Sequence, residues 1–329
     1  MGIGHAPLPG SKSERAIKNT EMISVVVPVF NRQEKAERAV LSVLEQKGLG
    51  PNSLEVIVVD DGSTPPFTIR SNDDRVRVLR RCRNAGPAAA RSAGIKAARG
   101  DFIAFLDSDD VWLPDKLARQ LEFFDTLASE HDRSRLIISC GFYYPHRIFQ
   151  RLEARIPREA HTLDVFAAGC WFSPGSTQFA HRSVYQRIGL PDESLRRLED
   201  YEWTLRFARL GGSLRVCSCV GVIVAPSYAS NPRHICESTD KIAEKFGPEG
   251  KESVAPDDYA RVLAYLELEK GAVALQIGRP MAALWHFGWS FRFKPRMHAP
   301  LLPFWYRSNE VPKDVEKTYR KLLTPRAGK

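Results

Sequence analysis

The chain lacks an uninterrupted apolar run of the roughly 18 residues that a spanning helix needs. Its first 21 residues, MGIGHAPLPGSKSERAIKNTE, lack the apolar core of a secretory signal, so they read as a loose polar tail on a cytoplasmic protein. Cysteine is sparse and scattered: Cys82, Cys140, Cys170, Cys217, Cys219 and Cys236 show no paired zinc-site spacing, and idle or buried thiols are expected. No G-x-G-x-x-G follows the first strand-like run, which excludes the dinucleotide-binding cradle. No G-x-x-x-x-G-K-[ST] occurs either, which excludes the phosphate-loop nucleotidases. Internal repeats and long low-complexity stretches are also missing. Charge is nearly balanced outside one segment. Residues 279–329 hold eleven Lys/Arg against three Asp/Glu, a net of +8, while the whole chain of 329 residues carries +9. Its body is therefore close to neutral, which argues against nucleic-acid binding there.

What is present is an alternation of strand and helix patterns across residues 23–145. Ile23–Val27, Leu54–Val59, Arg75–Leu79, Phe102–Leu106 and Arg135–Cys140 are apolar strand runs. Between the first two, Ala36, Ala39, Val40, Val43 and Leu44 share one helical face, with Asn31 as the expected cap. Pro87 opens an Ala-rich helix that Gly100 closes, and Pro114 starts another. Such alternation predicts an α/β fold with a mostly parallel sheet flanked by helices. Ligands of such sheets bind beyond the carboxyl ends of the strands. Three of those ends are polar here: Pro28–Arg32, Asp60–Ser63 and Asp107–Asp110.

The last of these carries the sharpest signal. FIAFLDSDD places Asp107, Asp109 and Asp110 at the mouth of a buried strand. One Asp there would be an ordinary cap. Three like charges repel unless something positive lies among them, and hard oxygens suit Mn²⁺ or Mg²⁺ holding a diphosphate. Asp60-Asp61 repeats the pattern at another strand end.

Four stretches in order, ISVVVPVFNR, VIVVDDGS, NAGPAAARSAGIKAARGDFIAFLDSDD and LEDYEWTLR, resemble family 2 of the inverting nucleotide-sugar glycosyltransferases. The resemblance covers about residues 22–215. It implies a GT-A-type, Rossmann-like mixed sheet and a catalytic domain over 22–225. After this comes a smaller, mostly helical and basic region at 226–329. It further implies that Pro28, Phe30 and Arg32 hold the nucleoside and that Asp60 reads the uracil or ribose. Asn84, Gly86 and Arg91 would line the nucleotide and its diphosphate. By the same resemblance Asp107, Ser108 and Asp109 match the D-x-D element, in which Asp109 would be the direct metal ligand, while Asp110 would cap the following loop. Asp200 matches the general base that deprotonates the acceptor hydroxyl. A departure bears on processivity: the Q-x-x-R-W element of polymer-making relatives is absent after Asp200, so transfer of a single sugar is expected.

Other assignments stay open at this stage. Trp171, Phe172 and Trp203 are candidates for an acceptor platform, with core packing as the alternative. Arg233 and His234, in a loop-like stretch, are candidates for a lid over the diphosphate. The aromatic, basic C-terminal segment reads either as a peripheral contact at the inner membrane face or as a packed helical subdomain. The donor is expected to be a UDP-sugar and the acceptor a glycan or lipid-linked hydroxyl. A non-catalytic nucleotide-sugar-binding module and a nucleotidyltransferase are the rival functions.

Overall fold

A computed structural model describes residues 21–50, 53–128, 131–145, 152–169, 175–225, 231–294, 305–308 and 310–323. The elements run β1 (Ile23–Val29), α1 (Gln33–Leu44), β2 (Leu54–Asp60), β3 (Val76–Arg80), α2 (Pro87–Ala97), β4 (Phe102–Phe105), β5 (Val111–Trp112) and α3 (Lys116–Ala128). Then come β6 (Leu136–Pro145), β7 (Leu152–Pro157), α4 (Leu163–Ala167), β8 (Phe179–His181), α5 (Arg182–Ile188), α6 (Glu199–Arg209) and β9 (Ser213–Ile223). The chain ends with α7 (Pro232–Phe246), α8 (Pro256–Gln276), α9 (Pro280–Phe293), β10 (Trp305–Ser308) and α10 (Lys313–Leu323).

One mixed sheet of ten strands organises the molecule, in the order β10-β7-β6-β8-β4-β1-β2-β3, with β9 pairing β5 and β6. The pairs β1·β2, β1·β4, β2·β3 and β6·β9 are parallel. Side chains alternate across β1 as strand geometry demands. Val25, Val27 and Val29 pack with Ala36, Ala39, Val40 and Val43 of α1, while Val26 faces the opposite layer with Ala90 of α2. That second layer is tight. A Cβ on Gly94 of α2 would lie 2.2 Å from Val26 Cγ1, so this helix sits where only glycine lets it approach the strand. Lys116 is buried in the opposite layer, its Nζ 3.8 Å from the Trp112 ring centre and donating to Gln120 Oε1 at 2.7 Å. Burial pulls its pKa down to about 8.

Most expected elements appear within a residue or two, with three differences. Asn31 does not cap α1; Arg32 holds that position without a side-chain cap bond. Asn31 instead takes φ 52° and accepts from the Thr64 N–H at 2.8 Å, joining the β1 and β2 ends. Arg233 and His234 are in the first turn of α7 rather than in a loop, where Pro232 occupies the first helical position and Asn231 caps the N-terminus. The 226–329 region also contains a strand, β10, which pairs antiparallel with β7 and joins the main sheet. Residues 1–20 and the Trp171-Phe172 pair lie outside the described residues.

Candidate active site

The sheet brings the polar strand ends together. β1 lies between β2 and β4, both parallel to it, so their carboxyl ends open side by side. The ladder continues into the loops, with Asp61 N–H donating to Val29 O at 2.8 Å and Leu106 N–H to Val26 O at 3.1 Å. Beyond these ends is a cleft of about 730 Å³, within the usual range for small-molecule sites. Pro28, Phe30, Arg32, Asn84, Gly86 and Arg91 line it, as do Asp107, Ser108, Asp109, Asp200 and His234.

Asp60 does not reach this cleft. It is fully buried, accepting from Ser63 N–H at 2.9 Å and Phe67 N–H at 3.0 Å, with Arg80 Nη1 at 2.5 Å. Burial alone would raise its pKa, but these hydrogen bonds and the Arg80 charge outweigh that and hold it below the ordinary value. Its neighbour Asp61 is the cleft residue, accepting from Ala85 N–H at 3.0 Å and Gly86 N–H at 2.8 Å. The chain turns just after them at Gly62, φ 80°, where a Cβ would come within 2.8 Å of the Arg83 and Asn84 backbone. Thus the D-D-G-S run fastens the β2 end to the loop before α2.

The β4 end is a second knot. Asp110 is buried and accepts from Ser176 Oγ at 2.5 Å and Ala225 N–H at 2.8 Å, while Ser176 Oγ also receives the Asp107 N–H at 3.0 Å. Burial, and then the Asp107 charge, push the Asp110 pKa well up against those bonds. Asp109 carries Arg32 Nη1 at 2.6 Å. Its pKa is also raised, chiefly by burial and also by Asp107, with Arg32 opposing. Arg91, buried on α2, joins Asp107 at 2.7 Å to Glu199 at 2.6 Å. Burial opposes its charge, but Asp107 and then Glu199 more than restore it, so the guanidinium stays ionised. Glu199 is pushed up by burial and by Asp200, against Arg91.

α6 begins at Glu199 directly after Leu198, a non-glycine residue at φ 60°. That turn leaves Glu199 bonded to Arg91 and Asp200 on the cleft wall. Trp203, one turn on, is core rather than acceptor platform. It is 5% exposed, stacks on Tyr185 and Phe207, and donates Nε1–H to Gly189 O at 2.8 Å. Arg233 pairs with Glu237 at the surface and is not on the cleft wall, whereas His234 is.

Further residues line the cleft without any sequence signal, five of them in β6, β7 and α8. Phe142 and Tyr144 of β6 stand with Arg155 of β7, whose guanidinium lies 4.2 Å from the Tyr144 ring centre. Tyr265 and Glu269 enter from α8, the Tyr265 hydroxyl donating to Glu269 Oε1 at 2.7 Å. Burial pushes the Glu269 pKa up, with the Tyr265 bond opposing and Asp200 adding to it. Tyr265 and Glu269 sit at i, i+4 in a helix, a spacing that marks a pair but not a ligand.

Among the described residues no three His, Cys, Asp or Glu side chains form a metal cage. Asp107 and Asp109 remain as hard oxygen donors on the cleft wall. Two carboxylates facing a substrate cleft fit Mg²⁺-type ions, which take their other ligands from water and phosphate.

The mixed sheet with an acidic strand mouth is the GT-A glycosyltransferase architecture. Solved structures show the same fold: Staphylococcus aureus TarS 1–349 aligns at TM-score 0.54, 20% identity, over 84% of this chain and 82% of that one. Its complex with UDP aligns at TM-score 0.51, 18% identity, over 91% of each. The chain belongs to glycosyl transferase family 2, whose family model matches residues 24–189. The succinoglycan biosynthesis protein ExoO of Rhizobium meliloti (strain 1021) is 34% identical over 219 residues, 63% of this chain and 62% of that protein. The uncharacterized glycosyltransferase RC0461 of Rickettsia conorii is 42% identical over 115 residues, only 18% of its own length. This chain therefore spans about three-fifths of one relative and under a fifth of the other.

Proposed function

We propose that the protein is a metal-dependent, inverting glycosyltransferase that moves one sugar from a UDP-sugar to a hydroxyl of a glycan or lipid-linked acceptor, in cell-surface polysaccharide biosynthesis. One observation carries this reading: Asp61, Asp107, Asp109 and Asp200, from two strand ends and one helix start, line a single cleft. The succinoglycan role in the ExoO name and the UDP in the TarS complex support the pathway and the donor. Residues 22–225 form the catalytic domain in this reading, and 226–329 complete the cleft through His234, Tyr265 and Glu269.

The roles follow from position. Pro28, Phe30 and Arg32 hold the nucleoside, with Asp61 taking the contact first expected of Asp60. Asn84, Gly86 and Arg91 line the donor, and Ser108 lies between the two D-x-D carboxylates. Asp109, with Asp107 beside it, would hold Mn²⁺ or Mg²⁺. When bound, that ion supplies positive charge to the departing diphosphate. The raised pKa of Asp109 marks a carboxylate whose ionised form gains from an added cation. Asp200 takes the proton from the acceptor hydroxyl as the hydroxyl attacks the anomeric carbon from the face opposite the diphosphate. Attack from that side inverts the centre, and one carboxylate base suffices, unlike the carboxylate pairs of glycoside hydrolases.

The first test is thermal unfolding with UDP, GDP, CDP or dTDP, each with and without Mn²⁺. Stabilisation of about 2.7 kcal/mol is expected with UDP at a hundredfold excess over its Kd, requiring metal and lost in Asp109→Asn. No shift with any nucleotide in the folded wild type would reject the reading. Asp200→Asn should keep that shift while turnover falls about 10²–10⁴-fold. Retained turnover would remove Asp200 as the base. A nucleotide shift without turnover in the wild type would favour the binding module.

A further inference from the structure

We infer that the outward face of α9, with the tip of the α8–α9 hairpin, docks on the interface of an anionic lipid membrane. This goes beyond the reading of the cleft and does not depend on it. The amphipathicity of α9 is reversed. Its inner face is mostly small or polar, with one ring: Ala283 is buried, Ser290 Oγ donates to Ala264 O at 2.8 Å, His286 Nδ1 lies 2.7 Å from Glu267 Oε2, and Phe287 packs on Gly271 of α8. Its outer face is apolar. Met281, Leu284, Trp285 and Trp289 fall at i, i+3, i+4 and i+8, and the first three are 76%, 63% and 66% exposed. Trp285 and Trp289 are in edge contact at 6.0 Å, and Trp289 lies 5.8 Å from Phe293. Leu275, at the adjoining end of α8, is exposed too.

Charge identifies the occupant. No Asp or Glu occurs between Glu269 and Glu310, whereas Lys270, Arg279, Arg292, Lys294, Arg296 and Arg307 do. Arg279 occupies the N-cap position of α9 without a side-chain cap bond, and Arg292 continues the Met281–Trp285–Trp289 face at its other end; both are exposed. Lys270 and Lys294 are ion-paired with acidic residues, but Arg279 and Arg292 form no ion pair among the described residues. Two copies meeting through this face would bring like charges together. Anionic headgroups neutralise them, and indoles settle at headgroup depth. α9 has 14 residues, about 21 Å at 1.5 Å per residue. It is too short to cross a hydrocarbon core of about 30 Å, so it lies in the interface. Glu269 of the cleft precedes Leu275 of the tip by six residues on one helix, about 9 Å along its axis. A lipid-carried hydroxyl would thus reach the cleft from the docked side.

The test is co-sedimentation of the full chain with phosphatidylcholine vesicles, with and without about one third phosphatidylglycerol, while tryptophan emission is followed. Binding to the anionic vesicles with blue-shifted emission is expected, weakened at least about tenfold by Leu284→Ser with Trp285→Ser. Arg279→Glu with Arg292→Glu should remove the preference for anionic lipid. All four side chains are exposed, so unchanged thermal midpoints check folding; should the serine variant not fold, the arginine variant decides alone. Folded wild type that binds neither vesicle, or variants that bind as wild type does, would overturn the proposal. So would a concentration-dependent dimer that the serine variant disrupts while no vesicle is bound, since that assigns the face to a second copy.

Discussion

Asp60 and Asp61 are chain neighbours with opposite duties. Successive side chains leave a strand on opposite sides. Asp60 therefore turns into the loop that ends β2, while Asp61 reaches the cleft wall. Asp60→Asn should cost about 1–3 kcal/mol at neutral pH, because it impairs acceptance from two buried N–H groups. The pKa of Asp60 is depressed in the fold. Its stabilisation is thus fully present above the unfolded carboxylate value of about 3.9 and is lost as pH falls through the depressed value. The gap in thermal midpoint between wild type and Asp60→Asn should accordingly narrow on acidification; a gap that is constant with pH would deny the ionised role. Arg91 is the other decisive single residue. Its removal leaves Glu199 buried without its cation and Asp107 unpaired from Arg91 on the cleft wall. Arg91→Met should cost about 3–5 kcal/mol in urea unfolding, and Glu199→Gln added to it should cost less than the sum of the two separate changes.

The start of α6 shows why a strained turn persists. Leu198 sits at φ 60°, a conformation costing about 1–3 kcal/mol for a side-chain-bearing residue. Yet its side chain is 93% buried beside Leu195 and Tyr201, as its 7% exposure shows. Emptying such a site costs about 2–5 kcal/mol. Burial wins, so Leu198→Gly should destabilise by about 1–2 kcal/mol net despite freeing the backbone, a sign that equilibrium unfolding reads directly. Trp203, on the same helix, separates packing from acceptor binding. Trp203→Phe should lower the thermal midpoint, through its lost Nε1–Gly189 bond and smaller stacking surface, while leaving the KM for acceptor unchanged. A raised acceptor KM at unchanged stability would return Trp203 to the site.

At the scale of the whole molecule, the C-terminal region is part of the body. Ile235, Ile242 and Phe246 of α7 and Val262 and Leu266 of α8 share one core with Leu195, Tyr201 and Leu205. Tyr201 also donates its hydroxyl to Ala167 O at 2.8 Å within that layer. A chain ending at residue 225 would expose this face to water and should lose fixed aromatic environments, read as collapse of the near-ultraviolet circular dichroism signal. A truncated chain with native-like near-ultraviolet signal would make the region dispensable for folding. Glu269→Gln, in the intact chain, should leave UDP-induced stabilisation unchanged and alter acceptor KM or the pH profile of turnover, since Glu269 faces Asp200 electrostatically from α8. A changed UDP response would place Glu269 on the donor side instead.

The sequence alone determined the elements whose signal is local. Short, nearly continuous apolar runs marked β1, β2 and β4, a 3.6-residue stripe marked α1, and prolines and glycines marked the helix ends. The acidic strand mouth was also legible, because parallel strands joined by helices bring their carboxyl ends to one edge, so Asp107, Asp109 and the residues of Pro28–Arg32 had only one place to meet. What tertiary structure decided has no local signature. Whether Asp60 or Asp61 faces the cleft depends on where the strand's last pleat falls relative to its neighbours. Trp203 is core because Tyr185 and Phe207 arrive from elsewhere in the chain. Tyr265 and Glu269 enter the cleft because α8 docks on α4 and α7, and the apolar face of α9 is outward because Ala283, Ser290 and Phe287 are the residues that pack inward, Phe287 against Gly271 of α8. Periodicity reports that a helix has two faces, and only packing selects which one meets water.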